Sequence, residues 1–579
     1  MTDCVWKLSD MPEEARAISK TISTALCIPS IVADLMVQRG IKSARDGEAF
    51  LRADLADLED PHLLKDIDKA VERISRGIEE NERIVVYGDY DVDGITSICI
   101  LVDVLRGLGA NVDYYIPDRV DEGYGINQEA VASIAKDCTS LLITVDCGIT
   151  ASSEVQLAQS LGMDVIVTDH HEPSAKIPPA VAVINPKRHD EEYPFRDLAG
   201  VGVAYKLSQA LVTSLKGPKE ARVLSDRFLD LVALGTIADV SPLVGENRIF
   251  AKQGLARINR TENIGLQCLI EVCGLKDRTI TAGTVGFVLA PRLNAAGRIR
   301  DPALCVELLL TDSPQRAMSI ARFLDSVNSE RQRLEMKTLE EALSMVKTCD
   351  GRPVDCVLVL AKEGWHPGVI GIVASRIVEE FNRPAFLITL DGDEGRGSGR
   401  SIPEFDLYRA LSQCSDTLLG FGGHKYAAGI AVSRHGIDRF RQAINEVGRS
   451  VLCEEDFLPK VFCHLELTLD RIDLEVAKGI AMLAPFGFGN PTPLFLSTGV
   501  ELLEYRGVGA DGKHLKMVLS QAGKTHDGIG FGLGHLTSQI YSERANEVDI
   551  VYTIEVNEWN GMIRPQLNIK GLRIAENHG

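Results

Sequence analysis

Over residues 1–68 the apolar positions recur at helical spacing among polar ones, which predicts a helical N-terminal segment. The pattern then changes. A helix over 66–80 leads into the apolar run Arg83–Gly88. Further short runs rich in Val, Ile and Leu follow at 112–116, 141–145, 164–168 and 180–184, with helical spacing at 96–107 and 151–161 between them. Continuous apolar strands alternating with helices predict an α/β fold with a parallel sheet covered on both faces. From Ser313 to Cys349, Ala317, Ile320, Leu324, Val327, Leu334, Leu339, Leu343 and Val346 fall near helical spacing, as in one long connecting helix or two consecutive ones. A second, smaller α/β block opens with the run 356–360. From about Val461 the pattern alternates, as in 514–519 and 548–554, with a hairpin turn expected at Asn560-Gly561, which predicts a C-terminal β-barrel. The expected domains are 1–68, 69–311, 312–349, 350–452 and 453–579.

Composition narrows the class. A chain of 579 residues with 45% hydrophobic and 25% charged residues is that of a globular protein of about four domains. Residues 1–10 lack the apolar run of a signal peptide, and the most apolar helical stretch, 95–109, is broken by Asp103 and Arg106, so no membrane partner is expected. Thirteen Cys without a C-x-x-C pair suggest reduced thiols and a cytoplasmic setting. The 62 basic and 82 acidic residues leave −20, without the basic footprint of a nonspecific nucleic-acid binder, so a phosphate ligand must be gripped locally.

The candidate chemistry gathers where strands end, the edge at which open α/β sheets bind ligands. The first run ends in Asp89-Tyr90-Asp91-Val92-Asp93, the run 141–145 in Asp146, and the run 164–168 in Asp169-His170-His171; Asp239 closes a downstream helix. A single D-x-D is more often a helix cap, and paired histidines also occur as packed or surface residues. Several such groups on one edge instead suit a pair of divalent cations, because adjacent carboxylates need compensating charge. Asp and His without Cys point to Mn²⁺ or Mg²⁺, with imidazole favouring Mn²⁺. In the second block, Arg396, Ser398 and Arg400 alternate with glycines, so on a strand they face one way as an anion clamp. Gly422, Gly423 and His424 read as a glycine-rich turn, and His366 precedes a helix whose N-terminal amides could meet an anion. Arg292, Asn294 and Arg298 suit phosphate contact or structural capping equally. In the tail, Tyr552, Trp559, Lys513, Lys516, Arg564 and Lys570 fit either a base-stacking surface or a barrel core with a solvated face.

Taken in order, G-D-Y-D-V-D-G (88–94), V-D-C-G (145–148), T-D-H-H (168–171) and I-A-D-V (237–240) resemble the motifs of the DHH phosphoesterase family. R-L-N-A-A-G-R (292–298), H-P-G-V-I-G-I-V-A-S-R (366–376), G-R-G-S-G-R (395–400), F-G-G-H (421–424) and P-F-G-F-G-N-P-T-P-L-F (485–495) are similar to those of its single-strand-specific 5′-to-3′ DNA exonucleases. The resemblance implies a DHH catalytic domain, a DHHA1-like domain and an oligonucleotide-binding-like barrel. It implies that Asp89, Asp91 and Asp93 bind two divalent cations, that Asp146 bridges them, that His170 ligates one and that Asp239 completes the other. His171 would contact substrate phosphate or assist the attacking water. Arg396, Ser398, Arg400 and His424 would bind nucleotide phosphates, with Arg292, Asn294, Arg298, His366, Gly422 and Gly423 as further substrate residues. In one departure, many members carry His four residues before the Asp91 position, where this chain has Tyr87. The implied reaction is phosphodiester hydrolysis of single-stranded DNA in repair and recombination, with a single-strand-binding protein and a DNA helicase as candidate partners. Two alternatives are an oligonucleotide or cyclic-dinucleotide phosphodiesterase of the same family and a non-catalytic replication scaffold.

Overall fold

The run Leu141–Val145, buried at all five residues, occupies the centre of a five-stranded parallel sheet. The computed structural model describes residues 4–119, 122–123, 125–349, 352–559 and 561–574. They fall into two units, 59–241 with 253–458, and 1–58 with 242–252 and 459–579. No helix among the described residues is long and apolar enough to cross a membrane.

In the first unit, helix α1 (Ile67–Glu79) leads into β1 (Arg83–Gly88), α2 (Val92–Gly107), β2 (Asn111–Tyr115), β3 (Leu141–Val145), β4 (Asp164–Thr168) and β5 (Ala182–Ile184). The strand order is β2-β1-β3-β4-β5, all parallel. Helix α2 starts at Val92, four residues before the apolar spacing predicts, because the Asp91 carboxylate caps it by accepting the N–H groups of Asp93 at 2.8 Å and Gly94 at 3.1 Å. Its Ile95, Ile98, Ile100, Leu101 and Leu105 are fully buried, each worth about 1.5–3 kcal/mol. Helices α3 (Gly200–Lys216) and α4 (Pro218–Ala238) pack beside it.

After α5 (Ala290–Ile299), the 313–349 region forms one helix, α6 (Pro314–Met345), of 32 residues. A mixed sheet follows: β6 (Leu358–Glu363), α7 (Pro367–Phe381), β7 (Ala385–Asp391), β8 (Glu394–Arg400), β9 (Gly420–Gly423) and β10 (Ala427–Ser433), ordered β9-β10-β8-β7-β6. Gly422 and Gly423, expected in a glycine-rich turn with His424, lie instead on the edge strand Gly420–Gly423 paired with β10. On β8 the glycines serve the core. A Cβ at Gly399 would lie 2.4 Å from the Phe386 ring, and one at Gly397 would lie 2.6 Å from Ile430. Their absent side chains make room for apolar neighbours in the same block, while Arg396, Ser398 and Arg400 occupy the alternate face.

The second unit contains a closed five-stranded barrel of β11 (Phe495–Val508), β12 (His514–Gln521), β13 (Lys524–Gly530), β14 (Glu547–Trp559) and β15 (Met562–Ile574), with β14 returning to β11. Asn560, in the expected hairpin turn, lies outside the described residues. Tyr552, a stacking candidate from sequence, is fully buried, its hydroxyl 2.9 Å from that of Ser497. The N-terminal stretch, expected to be helical throughout, opens on the strand Val5–Leu8. Its V-W-K-L sequence pairs in parallel with Lys460–Cys463. The helices after it place Ile31, Val32, Leu35 and Met36 in one core with Leu469, Ile480 and Phe495. In the inserted stretch 242–252, Arg248 donates to the carbonyls of Phe50, Leu483 and Ala484 at 2.9–3.0 Å and lies 3.7 Å from the Phe50 ring centroid.

Candidate active site

The C-terminal ends of β1, β3 and β4 deliver the acidic cluster, and each carboxylate is fixed by its local backbone. Gly94 is obligatory beside the first, since a Cβ there would lie 2.4 Å from the Asp89 carbonyl oxygen. The Asp93 carboxylate accepts the first amides of α3, from Gly200 at 2.8 Å and Val201 at 2.7 Å. Asp146 follows β3 with φ +59°, a left-handed conformation that Asp tolerates better than most residues. A Cβ at Gly200 would come within 2.7 Å of Asp146 Oδ1. Asp239 caps the C-terminus of α4 and accepts the Ser241 hydroxyl at 2.6 Å. His170 Nε2 lies 3.1 Å from Asp146 Oδ1, 3.8 Å from Asp93 Oδ2 and 4.0 Å from Asp239 Oδ2.

Three groups within this cluster could each hold an ion: Asp89, Asp91 and Asp146; Asp93, His170 and Asp239; and Asp146, His170 and His171. Asp89 Oδ1, Asp146 Oδ1 and His170 Nε2 are buried and make no hydrogen bond, a costly arrangement for protein alone. Burial and the neighbouring Asp91 push the Asp89 carboxyl up to about 8. Burial, then the charges of Asp93, Asp91, Asp239 and Asp89, push Asp146 well above the carboxylate range, and Asp91 and Asp93 are raised in the same way. Burial also lowers His170, which keeps its imidazole neutral with a lone pair to offer. Oxygen donors with imidazole and no thiolate fit Mn²⁺ or Mg²⁺.

Asp169, which sequence reasoning left without a role, organises the histidines. It accepts the amides of Ile149, His170 and His171, and His171 Nδ1 lies 2.7 Å from its Oδ1. Burial alone would lower His171, but the Asp169 hydrogen bond and charge outweigh it and raise the imidazole above its usual value. The same bond holds Asp169 below the carboxylate range against its own burial. The signal for Asp169 was its place at the strand end, directly before two histidines.

A second cluster is cationic. Burial and the charges of Arg119, Arg331 and Arg400 lower Arg298 to about 10, and burial with Arg119 lowers Arg400. Guanidinium groups gathered at mutual cost could hold an anion. Arg119 lies over the ring of Tyr90, 4.9 Å from its centroid; Tyr90 belongs to the first acidic motif, whereas Arg119 falls in none of the motifs read from sequence. Arg400 Nη1 donates to Ser398 Oγ at 3.0 Å, and the missing side chain of Gly371 on α7 leaves room for both. Asn294 accepts the Val92 N–H at 3.2 Å, and Gly297 lies against the Tyr90 carbonyl, so α5 supports the first acidic loop. Arg298 Nη1 donates to the Gly368 carbonyl, and His366 Nδ1 caps α7 by accepting the Gly368 N–H. Arg292 is tied to Asp325 and the Val288 carbonyl, which fits the capping side of its two sequence readings. Arg396 is exposed on β8, Gly422 and Gly423 are exposed on β9, and His424 lies just past that strand. Tyr87 donates its hydroxyl to the Gly125 carbonyl at 2.9 Å and packs among Val85, Leu142 and Val167, while Asp89 supplies the buried oxygen at this end of the cluster.

Comparison with known proteins places three family domains on this architecture: the DHH family N-terminal domain over residues 83–236, the DHHA1 domain over 355–449 and the RecJ OB domain over 463–571. The chain is 41% identical over 560 residues to the single-stranded-DNA-specific exonuclease RecJ of Bacillus subtilis, covering 96% of this chain and 70% of that protein. It is 36% identical over 565 residues to the Escherichia coli protein of the same name, covering 94% and 96%. The crystal structure of RecJ in complex with Mn²⁺ from Thermus thermophilus matches with a TM-score of 0.84 at 33% identity, over 99% of this chain and 80% of that one.

Proposed function

The chain belongs to the RecJ family of DHH phosphoesterases, and from that premise we propose that it is a single-stranded-DNA-specific exonuclease that degrades its substrate from the 5′ end by metal-dependent phosphodiester hydrolysis. The observation that carries the reading is the convergence of three buried atoms that make no hydrogen bond, Asp89 Oδ1, Asp146 Oδ1 and His170 Nε2, within a cluster of carboxylates.

We assign Asp89, Asp91, Asp93, Asp146, His170 and Asp239 as the residues that would hold two divalent cations, Mn²⁺ preferred or Mg²⁺. Bound there, the cations would supply Lewis acidity at phosphorus and a hydroxide at neutral pH. The protein's own groups do the rest. Asp169 orients His171 and favours its protonated form, which sets a proton beside the acidic cluster for a phosphate oxygen or the departing alkoxide. Arg119, Arg298, Ser398 and Arg400 grip a backbone phosphate, and their positive charge stabilises the anion that develops there. Asn294 holds the Val92 amide and so keeps the Asp91–Asp93 turn in place. His366, Arg396, Gly422, Gly423 and His424 are assigned to further substrate contact, and the barrel to holding the strand. We divide the chain as 1–68, 69–311, 312–349, 350–452 and 453–579 and place its work in cytoplasmic DNA repair and recombination, with a single-strand-binding protein and a helicase as partners.

Digestion of 5′-labelled and 3′-labelled single strands and of the matching blunt duplex, with Mn²⁺, tests this for wild type and Asp146→Ala. Small products should leave the 5′ end of single strands only, and the variant should release none. Hydrolysis confined to dinucleotides would refute the polymer substrate.

A further inference from the structure

Arg119 differs from its cationic neighbours in its support. Arg298 lies on α5 and Arg400 on β8, whereas Arg119 sits on the irregular connection between β2 and the helix Gln128–Lys136. A guanidinium pushed away by Arg298 and Arg400 will hold its place over Tyr90 only where the chain that carries it is fixed.

The described residues of this connection show the fixing. Glu122 accepts three hydrogen bonds: from the Tyr115 hydroxyl at 3.0 Å, the Asp118 N–H at 2.9 Å and Asn127 Nδ2 at 2.7 Å. The Asp118 carbonyl in turn accepts the amides of Glu122 at 2.9 Å and Gly123 at 3.1 Å, which ties the residue before Arg119 to Glu122 and Gly123. On the far side, the Tyr87 hydroxyl holds the Gly125 carbonyl at 2.9 Å, and its ring stacks on Tyr115 with centroids 5.3 Å apart. Tyr87 is fully buried in β1, the strand that ends at Asp89, so the brace is anchored in the element that also presents the acidic cluster.

We propose that Tyr87 and Glu122 are positioning residues for substrate binding, bracing the connection so that Arg119 joins Arg298 and Arg400 on a backbone phosphate. The proposal rests on the exonuclease reading above. It assigns the two residues no part in the chemical step and no contact with the strand. Their effect passes through Arg119 alone.

The experiment is a set of double-variant cycles on the full-length, Mn²⁺-loaded enzyme with a single-stranded oligonucleotide, combining Tyr87→Phe or Glu122→Gln with Arg119→Ala. Tyr87→Phe and Glu122→Gln should each raise KM by about 3–10-fold, with kcat within about twofold and an unchanged Mn²⁺ requirement. Each should flatten the salt dependence of KM, toward the slope change of about 0.7 expected when one phosphate contact to a single strand is lost. In the Arg119→Ala background neither should raise KM further. Additive increases, or a fall in kcat with KM unchanged, would overturn the proposal in favour of a general structural role. An Arg119→Ala variant with wild-type KM would overturn it too, while leaving the exonuclease reading intact. A wild-type enzyme that leaves single strands undegraded would overturn both.

Discussion

Replacing Asp146 with Asn should abolish activity and, without metal, make the protein more stable. Asp146 shares a site with Asp89 and Asp91 in which the ligand oxygens lie within 4.8 Å of one another. At an effective dielectric of about 20, one pair of charges at that distance repels by about 3.5 kcal/mol. Neighbouring carboxyls relieve part of this by holding protons, which leaves a net gain of about 1–3 kcal/mol for the neutral amide, or roughly 2–6 °C in Tm. The amide should cost little in return, because Asn accepts the +59° φ at least as readily as Asp and the Asp146 Oδ1 makes no hydrogen bond to lose. The sign with pH follows from the raised Asp146 carboxyl. A folded-state value above the unfolded one means stability that is present below about pH 4 and lost as pH rises. Wild type and variant should therefore coincide near pH 4 in EDTA and separate toward pH 8. Saturating Mn²⁺ should reverse the order, since binding at 1,000 times Kd adds about 4.1 kcal/mol to whichever form retains the site. Thermal unfolding at several pH values, with EDTA or Mn²⁺, measures each part. A variant less stable than wild type in EDTA at pH 8 would refute the electrostatic reasoning.

Gly200→Ala should lower stability by about 1–3 kcal/mol through overpacking and lower kcat at least about a hundredfold, because the new methyl meets the buried Asp146 carboxylate at 2.7 Å; steady-state kinetics beside thermal unfolding measures the two effects. Asp169→Asn should cost about 2–3 kcal/mol in denaturant unfolding at pH 7, because the amide leaves backbone and imidazole donors poorly matched. The depressed Asp169 carboxyl contributes stability above the unfolded value near pH 4 and loses it below, so the gap between the two proteins should narrow in acid. Arg248→Ala should destabilise the barrel-containing unit by about 3–5 kcal/mol through three orphaned carbonyls, and Arg248→Lys should recover only part of it; hydrogen exchange of the barrel amides reports both.

The parallel sheet and its acidic edge were legible because both are local in the sequence. A strand buried on both faces is an unbroken apolar run, as in Leu141–Val145, and the carboxylate it presents is the next residue. What the sequence hid depends on neighbours far along the chain. Asp169 holds the amide of Ile149, twenty residues earlier, and Arg119 joins Arg298 and Arg400 only through folding. The alternation of glycines with Arg396, Ser398 and Arg400 was legible, but not its cause on the other face, where Phe386 and Ile430 require the space. Tyr552 carries the composition of a stacking platform and lies in the barrel core, because alternation along a strand does not say which face is inside until the barrel closes.

The chain crosses between its two units four times, at 58/59, 241/242, 252/253 and 458/459. The barrel is thus no appendage that evolution or an engineer can append or remove at one junction. Ending translation near residue 459 would leave Ile31, Val32, Leu35 and Met36 facing water without Phe495, and Arg248 without the carbonyls of Leu483 and Ala484. Such a fragment would fail by aggregation, and its inactivity would say nothing about how DNA is held. A minimal nuclease needs three simultaneous edits: removal of 1–58, a short splice across 242–252, and removal of the tail. A single cut at any one of the four crossings would still leave the barrel-containing unit built from segments of both pieces.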